Sequence, residues 1–362
     1  MGRSPSLPVC LLAALSFTAI ALAPMASQAQ SPTCAGVRAT QVSHRARIVA
    51  KPRAVVLALG ARDHTITVGQ GDKTNHIICG GPGNDTIEGG KGDDILVGGP
   101  GNDPIYGRHG NDLIIGDNYN PGGDTLGHTG RDKPYGGAGN DVIIGDNLGF
   151  GNVSGAKPDQ PGGNNGSDTI IGDDAATGGG MVARGGADDW VAAMQGDDLV
   201  IGDSFSPYGT AIGGGDDELN HALGSGLMIG DSATLTGTAT GSGNDALHGM
   251  TGGDLHQECG GCHNRLYGDS YALAAGGVYQ GTGNDLLTAG LADNTYLDGE
   301  GSNPDGSGRG KDLCAGKAGG NTVAVRCALY RQVWKVLKSQ EPAPQLTSYG
   351  ARWPGRGSSP RP

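Results

Sequence analysis

Aspartates recur every nine residues in a glycine-rich stretch that begins at Gly80. Four consecutive nonapeptides read GGPGNDTIE, GGKGDDILV, GGPGNDPIY and GRHGNDLII. Each has glycine at the first and fourth positions, aspartate at the sixth and an aliphatic residue at the eighth. Glycine permits positive φ, which lets backbone carbonyls approach an ion closely, and a carboxylate oxygen is the ligand type that Ca²⁺ prefers. The spacing therefore predicts calcium sites in a series of similar turns.

The residues that follow each aspartate predict the elements that position these turns. The seventh to ninth residues form a short strand, in which the eighth side chain points inward while its neighbours point outward. The inward residues of the four repeats are Ile87, Leu96, Ile105 and Ile114. Two turns and two strands close one flattened coil, so we expect an all-β fold, a parallel β-roll or β-helix solenoid.

The same register continues beyond Gly116 with interruptions. Gly226, Asn264 and Asn294 stand where an aspartate is expected, so we expect weak calcium binding or none at those turns. The glycines predicted to contribute to metal sites are Gly81, Gly83, Gly90, Gly92, Gly99, Gly101, Gly110 and Gly139. The predicted aspartate ligands are Asp85, Asp94, Asp103, Asp112, Asp132, Asp141, Asp168, Asp189, Asp198, Asp217, Asp245, Asp254 and Asp285.

These motifs resemble the haemolysin-type, or RTX, calcium-binding nonapeptide repeats of bacterial proteins. The resemblance is strong from Gly80 to Asp117 and continues more raggedly to about Leu287. It implies a β-roll in which several Ca²⁺ ions lie between successive turns, held by aspartates and backbone carbonyls of neighbouring coils. Many family members are poor in cysteine and are exported through a C-terminal signal, and this chain differs on both counts.

The composition favours a thin, repetitive core over a conventional globular one. Glycine accounts for 71 of 362 residues and aromatic residues for only 4%. The net charge of −12 comes largely from aspartates in register, and stacking them without cations would place like charges one coil apart. We therefore expect metal binding to be coupled to folding. The alternative is a disordered chain rich in Gly, Asp and Asn.

Gly-Asp dipeptides beginning at 116, 145, 172, 202, 230 and 268 mark a longer repeat of roughly thirty residues that overlies the nonapeptide period. Each precedes a segment rich in Gly, Asn, Ser, Thr or Tyr. We interpret these segments as loops that replace a tight turn. They form either a decorated edge that binds a partner or tolerated insertions without a role.

The chain ends predict export and capping. The first residues carry Arg3, an apolar run from 9 to 23 and the small-residue sequence 27–29, which is typical of a signal peptide; an uncleaved anchor is the alternative. Near the other end, Val325, Leu329, Val333 and Leu337 recur every fourth residue and favour a helix. The predicted segments are a signal peptide at 1–29, an N-terminal β cap at 30–79, a calcium-binding β-roll with inserted loops at 80–313, a short C-terminal cap helix at 314–340 and a disordered tail at 341–362.

Six cysteines remain after removal of the leader, an even number that favours disulfides in an oxidising compartment. We expect Cys34 to pair with Cys79 and Cys314 with Cys327, one bond at each end of the roll. Cys259, Cys262 and His263 form a C-x-x-C-H motif that matches c-type haem attachment. A local or inter-coil disulfide and a zinc site completed by His248 and His256 are the alternatives.

The sequence favours a secreted or extracellular calcium-binding protein with no catalytic residues and a surface, matrix or interaction role. The periplasm and the cell surface are further possible locations. Its partners would be calcium and an unidentified extracellular molecule, without nucleic acid and without a transmembrane segment after signal cleavage. The alternatives are a periplasmic redox protein that binds haem and a carbohydrate-active or hydrolytic enzyme. An enzyme would need carboxylates outside the repeat register, for which Asp159, Glu300 and Asp305 are the candidates.

Overall fold

A computed structural model describes residues 32–127, 129–249, 263–273, 277–289, 294–299, 311–316, 321–325, 327, 329–331 and 335–337. These residues form short strands joined by turns, and nearly all strand pairs are parallel. The described part of the chain contains no helix, and therefore none that could cross a membrane. The predicted all-β parallel roll is confirmed.

Two long sheets run along the whole described stack. Sheet I has 13 strands: Gln41–Ser43, Val55–Ala58, Ile77–Cys79, Ile95–Val97, Leu113–Ile115, Val142–Ile144, Thr169–Ile171, Asp198–Ile201, Gly226–Ile229, His263–Tyr267, Asn294–Asp298, Asn321–Val325 and Lys335–Leu337. Sheet II has 12 strands: Arg47–Ala50, Thr65–Val68, Thr86–Glu88, Pro104–His109, Lys133–Ala138, Gly162–Asn165, Trp190–Gln195, Glu218–Leu223, Ala246–His248, Leu286–Thr288, Leu313–Ala315 and Leu329–Arg331.

The eighth-position side chains form one buried column between sheets I and II. In sheet II, Ile87 pairs in register with Ile66 on one side and with Ile105 on the other. All three are fully buried in one cluster. The same cluster contains Leu96, Ile114, Ile143, Ile170, Val200, Leu219, Leu247 and Leu287. Period-two alternation in very short strands is thus enough to build the core, because every coil stacks its inward residue on the previous one.

The inserted segments, which we predicted to be loops, instead form two further parallel sheets. Sheet III consists of Tyr119–Asn120, Leu148–Gly149 and Ala175–Ala176, and it continues through a bridge at Phe205 to Ala233–Thr234 and Tyr271–Ala272. Sheet IV consists of Thr125–Leu126, Val153–Ser154, Val182–Arg184, Thr210–Ile212, Thr238–Gly241 and Val278–Gly281. The prediction of loops was wrong because successive inserts supply each other with main-chain hydrogen-bond partners that one insert alone does not have.

Sheet III covers the outer face of sheet I and creates a second core. Ile115, Ile144 and Ile171 point away from sheet II but are fully buried, in one cluster with Leu148 and Phe205 of the inserts. We call a coil that carries an inserted segment an expanded coil. Each expanded coil named here therefore buries two adjacent aliphatic residues on opposite faces of one strand. A strand with both faces covered is expected to be apolar throughout.

At the N-terminal end, the strands within 30–79 join the same two sheets, and a small antiparallel hairpin, Thr33–Cys34 with Val37–Arg38, precedes them. Cys34 and Cys79 form a disulfide with 5.8 Å between their Cα atoms, which agrees with the predicted pairing. The bond joins the hairpin to a strand of sheet I. Whether the segment acts as a separate cap stays a prediction.

The described residues of the predicted C-terminal helix, 314–340, form strands and no helix. Residues 321–325 and 335–337 extend sheet I, and residues 329–331 extend sheet II. Thr322 and Ala324 are both fully buried, which is the alternation of a strand. The four-residue spacing misled the interpretation because the open edge of the preceding coil offers hydrogen bonds and an apolar column that override local helix preference. Cys314 and Cys327 pair as predicted, with 6.0 Å between their Cα atoms.

Candidate calcium sites in two aspartate ladders

The sixth-position aspartates stack in two buried columns, one at each edge where the chain passes between sheets I and II. Ladder 1 consists of Asp85, Asp103, Asp132, Asp159, Asp189, Asp217, Asp245, Asp285 and Asp312. Ladder 2 consists of Asp94, Asp112, Asp141, Asp168 and Asp198. In both ladders, the backbone N–H of one aspartate donates to Oδ1 of the next, over 2.6 to 3.0 Å. One carboxylate oxygen per residue is thus used to hold the coils in register.

The second carboxylate oxygen lies against the first-position glycine of its own turn. A Cβ on Gly98 would lie 2.5 Å from Oδ2 of Asp103, and a Cβ on Gly145 would lie 2.7 Å from Oδ2 of Asp159. Only glycine leaves room for this arrangement. Within the described residues, Oδ2 has no hydrogen-bond partner in Asp85, Asp103, Asp112, Asp132, Asp141, Asp159, Asp168, Asp189, Asp217, Asp245 and Asp285.

Backbone carbonyls approach the same turns closely. Gly110 and Gly139 stack in successive coils with φ of +123° and +138°, and a Cβ on Gly139 would overlap the carbonyl oxygen of Gly110. Side chains are excluded there both by conformation and by space. The glycines that we predicted to contribute, Gly81, Gly83, Gly90, Gly92, Gly99, Gly101, Gly110 and Gly139, all lie in these turns at the second or fourth position. Their role in holding metal stays a prediction.

The electrostatics of the ladders favour a bound cation. Burial, which desolvates the charged form, raises the pKa of Asp103 and of Asp168 to about 8 and that of Asp112 to about 9. The charges of neighbouring aspartates raise them further, while backbone hydrogen bonds oppose the shift. Without metal, these groups would hold protons near neutral pH. A cation beside them would stabilise the ionised form instead.

The chemistry of the donors fits a hard cation. Among the described residues, no group of three or more His, Cys, Asp or Glu side chains converges as a metal cluster. A cation between two coils would therefore take one or two carboxylate oxygens and complete its shell with carbonyls. Mixed coordination of that kind, with a variable number of oxygen ligands, suits Ca²⁺.

Histidines replace aspartates where the ladders begin. His64 and His76 occupy the sixth position in the coils that precede Asp85 and Asp94, and the backbone N–H of each donates to Oδ1 of that aspartate over 2.6 and 2.7 Å. Their Nδ1 atoms lie 2.8 and 3.2 Å from the same oxygens. A buried imidazole thus partners the first carboxylate of each ladder. The prediction missed both histidines, although each follows Asp63 or Asn75 in the register of Asn-Asp.

Ladder 2 stops where the sequence lacks its aspartate. Gly226 stands in the next coil, its N–H donates to Oδ1 of Asn264 over 2.8 Å, and Nε2 of His221 lies 3.1 Å from Oδ2 of Asp198. A Cβ on Gly226 would lie 3.1 Å from the His221 ring, so the imidazole takes the space beside the missing side chain. This is the position where we expected calcium binding to fail. The Asn294 side chain and Asp254 lie outside what the structure describes.

Two ladder members were missed by the sequence analysis. Asp159, considered as a carboxylate outside the register, is the fourth member of ladder 1, and Asp312 is the last described one. Long inserts before each of them obscured the nine-residue spacing. The sequence signal that could have identified Asp159 is the Gly-Asp dipeptide at 145–146, because a dipeptide of this kind begins each of the expanded turns described here. Glu300 and Asp305, the other enzyme candidates, lie outside the described residues.

Fifth-position side chains form a further, exposed column on each edge. Oδ1 of Asn84 accepts from the N–H of Asn102, and Oδ1 of Asn102 accepts from the N–H of Arg131. On the other edge, Oδ1 of Asp93 accepts from the N–H of Asn111. This explains the preference for Asn or Asp beside the buried aspartate without invoking metal.

The other motifs are placed only in part. Cys259, Cys262 and His256 lie outside the described residues, as does the His263 side chain, whereas Nδ1 of His248 lies 2.8 Å from the Thr288 hydroxyl. In three expanded turns a serine, Ser204, Ser232 or Ser270, follows the Gly-Asp dipeptide, at the position that Asn118, Asn147 and Asp174 occupy in other expanded turns. Asn118 donates to Oδ1 of Asn147 over 3.0 Å.

The family model of the RTX calcium-binding nonapeptide repeat matches residues 78–103, 92–118 and 126–147. The fold is thus a parallel β-roll, and these residues of the chain are similar to RTX calcium-binding nonapeptide repeats. No curated protein and no solved structure matches the chain. The structure extends the repeat register well beyond the matched residues, because ladder 2 continues to Asp198 and ladder 1 to Asp312.

Proposed function

We propose that the protein is an exported calcium-binding β-roll whose direct activity is to hold several Ca²⁺ ions in ladders 1 and 2, with folding coupled to calcium. The observation that carries this proposal is the column of buried Oδ2 atoms without hydrogen-bond partners in the described residues, each beside a glycine backbone. A buried carboxylate is stable only when it is paired or bound to a cation.

The coupling to folding follows from the same contacts. The ligands of one ion would come from two successive coils, so the site does not exist in the unfolded chain. The binding free energy then contributes to the free energy of folding. Without calcium, the ladder carboxyl groups must be protonated or buried as charges when the chain folds, and near neutral pH either process costs folding free energy.

Two observations support a location outside the cytosol. The disulfides Cys34–Cys79 and Cys314–Cys327 lie near opposite ends of the described stack, and such bonds persist in oxidising compartments. Calcium is also abundant outside cells, where weak sites are filled. The protein would then be rigid after export, and its role would be at a surface, in a matrix or in an interaction with another extracellular molecule.

A calcium titration tests the proposal. The mature, chelator-treated protein is titrated with Ca²⁺ while far-ultraviolet circular dichroism is recorded, with Mg²⁺ as the control. We expect a cooperative gain of β signal with Ca²⁺ that Mg²⁺ does not reproduce, because Mg²⁺ demands a smaller, near-octahedral site and sheds water reluctantly. A spectrum that does not respond to calcium, together with no bound ions in equilibrium dialysis, would contradict the proposal.

A further inference from the structure

The inserted segments enter each coil at a fixed point of the nonapeptide turn. In the compact turn Gly98–Asp103, Gly99 donates its N–H to the carbonyls of Gly116 and Asp117 over 3.1 and 3.0 Å. The N–H of Asp103 donates to Asp132. The expanded turn therefore begins with Gly116-Asp117 and ends with Gly130-Arg131-Asp132. Asp117 occupies the place of the second glycine, and the insert replaces the third residue.

This substitution recurs and produces another column of buried acids. We call them the second-position aspartates: Asp117, Asp146, Asp173, Asp203 and Asp231, each with 0% exposed surface. One carboxyl oxygen of each accepts a hydrogen bond from a backbone N–H near the end of the same insert. This bond closes the neck of the insert, by which we mean the place where the chain enters and leaves it. The donors are, in turn, Gly130, Lys157, Ala187, Gly215 and Gly243, over 2.8 to 3.2 Å. The other oxygen of each has no hydrogen-bond partner in the described residues.

Each second-position aspartate directly follows a glycine that a ladder 1 carboxyl group approaches closely. Oδ2 of Asp132 approaches the backbone of Gly116, the residue before Asp117, and Oδ2 of Asp159 approaches Gly145, the residue before Asp146. After desolvation, the charges of Asp159 and Asp117 are the largest causes that raise the pKa of Asp132, to about 10. Each expanded turn therefore holds two buried acid groups that are close enough to influence each other electrostatically.

The second-position aspartates also approach each other along the stack. The backbone N–H of Asp146 donates to the carbonyl of Asp173 over 3.1 Å, and that of Asp173 donates to the carbonyl of Asp203 over 3.2 Å, so these residues stack in successive coils. Ionised carboxylates stacked in this way repel each other unless protons or cations lie among them. Capping the neck alone does not require a charge, since an asparagine oxygen would accept the same N–H.

We propose that the expanded turns form a second class of metal site, in which a divalent cation such as Ca²⁺ lies between the second-position and sixth-position carboxylates of neighbouring coils. Two carboxylates per coil match the charge of one divalent ion per coil, whereas a compact turn supplies one carboxylate. More charged ligands raise calcium affinity. The inference rests on the proposed calcium binding, because ladder 1 belongs to both kinds of site.

The test compares two triple variants that remove the same charge. D146N/D173N/D203N changes buried second-position aspartates, and D188N/D197N/D216N changes exposed fifth-position aspartates that also accept a backbone N–H from the next coil. Bound calcium per chain is counted by equilibrium dialysis. At a free Ca²⁺ concentration that half-saturates the wild type, we expect the first variant to hold fewer ions, because its changed turns keep one carboxylate each, and the control to hold as many as the wild type. An equal number of ions in both variants would overturn the inference.

Stability measurements separate a metal role from a neck-capping role. In chelator, D146N/D173N/D203N should unfold at a higher urea concentration than the wild type, because its folded state no longer has to protonate or desolvate three buried carboxylates. In excess calcium it should unfold at a lower concentration. Equal midpoints in both conditions would mean that the carboxylates only accept neck hydrogen bonds. If the triple variant does not fold, D173N alone is counted, and an unchanged ion number would overturn the inference.

The failure of this inference is distinguishable from failure of the proposed function. A wild type that binds no calcium contradicts both. A wild type that binds calcium, with the second-position variant retaining every ion, leaves ladders 1 and 2 as the calcium sites and contradicts only the second class.

Discussion

The compact coils at 77–112 and the expanded coils that follow from 113 solve the same stacking problem with different amounts of chain. Successive sixth-position aspartates are 18 residues apart in the compact coils and 27 to 30 apart in most of the expanded ones. The ladder hydrogen bonds nevertheless keep a similar length, 2.6 and 2.7 Å in the compact coils and 2.6 to 3.0 Å in the expanded ones. The constant unit is therefore the turn that carries the aspartate and its glycine, while the rest of the coil can grow provided that successive inserts stack.

We expect the largest loss in the free energy of unfolding when a first-position glycine is replaced, compared with an exposed glycine of an insert. A Cβ on Gly172 would overlap the carbonyl oxygen of Gly202 and Oδ2 of Asp189, whereas a Cβ on exposed Gly179 meets nothing within 4 Å. We expect Gly172→Val to destabilise the calcium-loaded protein by more than about 3 kcal/mol, and Gly179→Ala to have little effect. Gly98→Val in the compact coils should cost a similar amount. Urea unfolding in excess calcium measures all three, and a tolerated Gly172→Val would show that the ladder does not need its close approach.

The metal-free protein should lose stability as pH rises. Burial raises the pKa of Asp103 in a compact turn to about 8 and that of Asp285 in an expanded turn to about 10, above the ordinary carboxyl value. The folded state therefore binds more protons than the unfolded state between about pH 4 and these values, so the free energy of unfolding falls over that window. We expect the urea midpoint in chelator to be higher at pH 5 than at pH 8.

Calcium should reverse this dependence and displace the protons. Addition of Ca²⁺ to the metal-free protein near pH 7 should release protons, which a weakly buffered titration with a pH electrode detects. Release should be larger at pH 7 than at pH 9, where fewer ladder carboxyls remain protonated. Calcium binding without any proton release at pH 7 would contradict the proposed occupation of the ladders.

The second core gives the next largest contrast. Ile171 lies under sheet III and is fully buried, whereas Leu57 lies at the equivalent position of sheet I in the N-terminal coils and is only partly buried. We expect Ile171→Ala to destabilise the protein by about 2 to 5 kcal/mol, as for other buried aliphatic residues. Leu57→Ala should cost less, since less surface is buried there. Equal losses in calcium-loaded protein would mean that the inserts add no packing energy.

The nonapeptide register was sufficient to predict sheets I and II and most of the aspartate columns. It was sufficient because one inward residue and one aspartate per turn fix both faces of a three-residue strand. Sheets III and IV could not be predicted in the same way, since strands such as Leu148–Gly149 and Ala175–Ala176 have no alternation to detect. Their hydrogen bonds come from the coil before and the coil after, so no single insert contains the information.

One signal of the second core was nevertheless present in the sequence. Ile114-Ile115, Ile143-Ile144 and Ile170-Ile171 place two large aliphatic residues side by side, although a half-exposed strand needs only one of each pair to be apolar. The dependence on neighbouring coils also explains why the helix prediction at the C-terminal end was wrong. Apolar residues spaced by four fit both a helix and short stacked strands. Only the presence of a preceding coil decides between them.

The smallest effects should come from the exposed fifth-position column, and they should be alike in the two regions. Oδ1 of Asn102, in a compact turn, accepts a hydrogen bond from the N–H of Arg131 over 2.8 Å, and Oδ1 of Asp188, in an expanded turn, accepts one from the N–H of Asp216 over 3.0 Å. Alanine at either position should cost about 0.5 to 1.5 kcal/mol, the usual contribution of one such bond. Asn102→Asp should restore the acceptor and most of the stability. Because these side chains face solvent, neither alanine variant should change the number of calcium ions bound in equilibrium dialysis. A lost ion in Asn102→Ala but not in Asp188→Ala would mean that the compact turns bind calcium through their outer residues, and the two regions would then differ in their ligands as well as in their length.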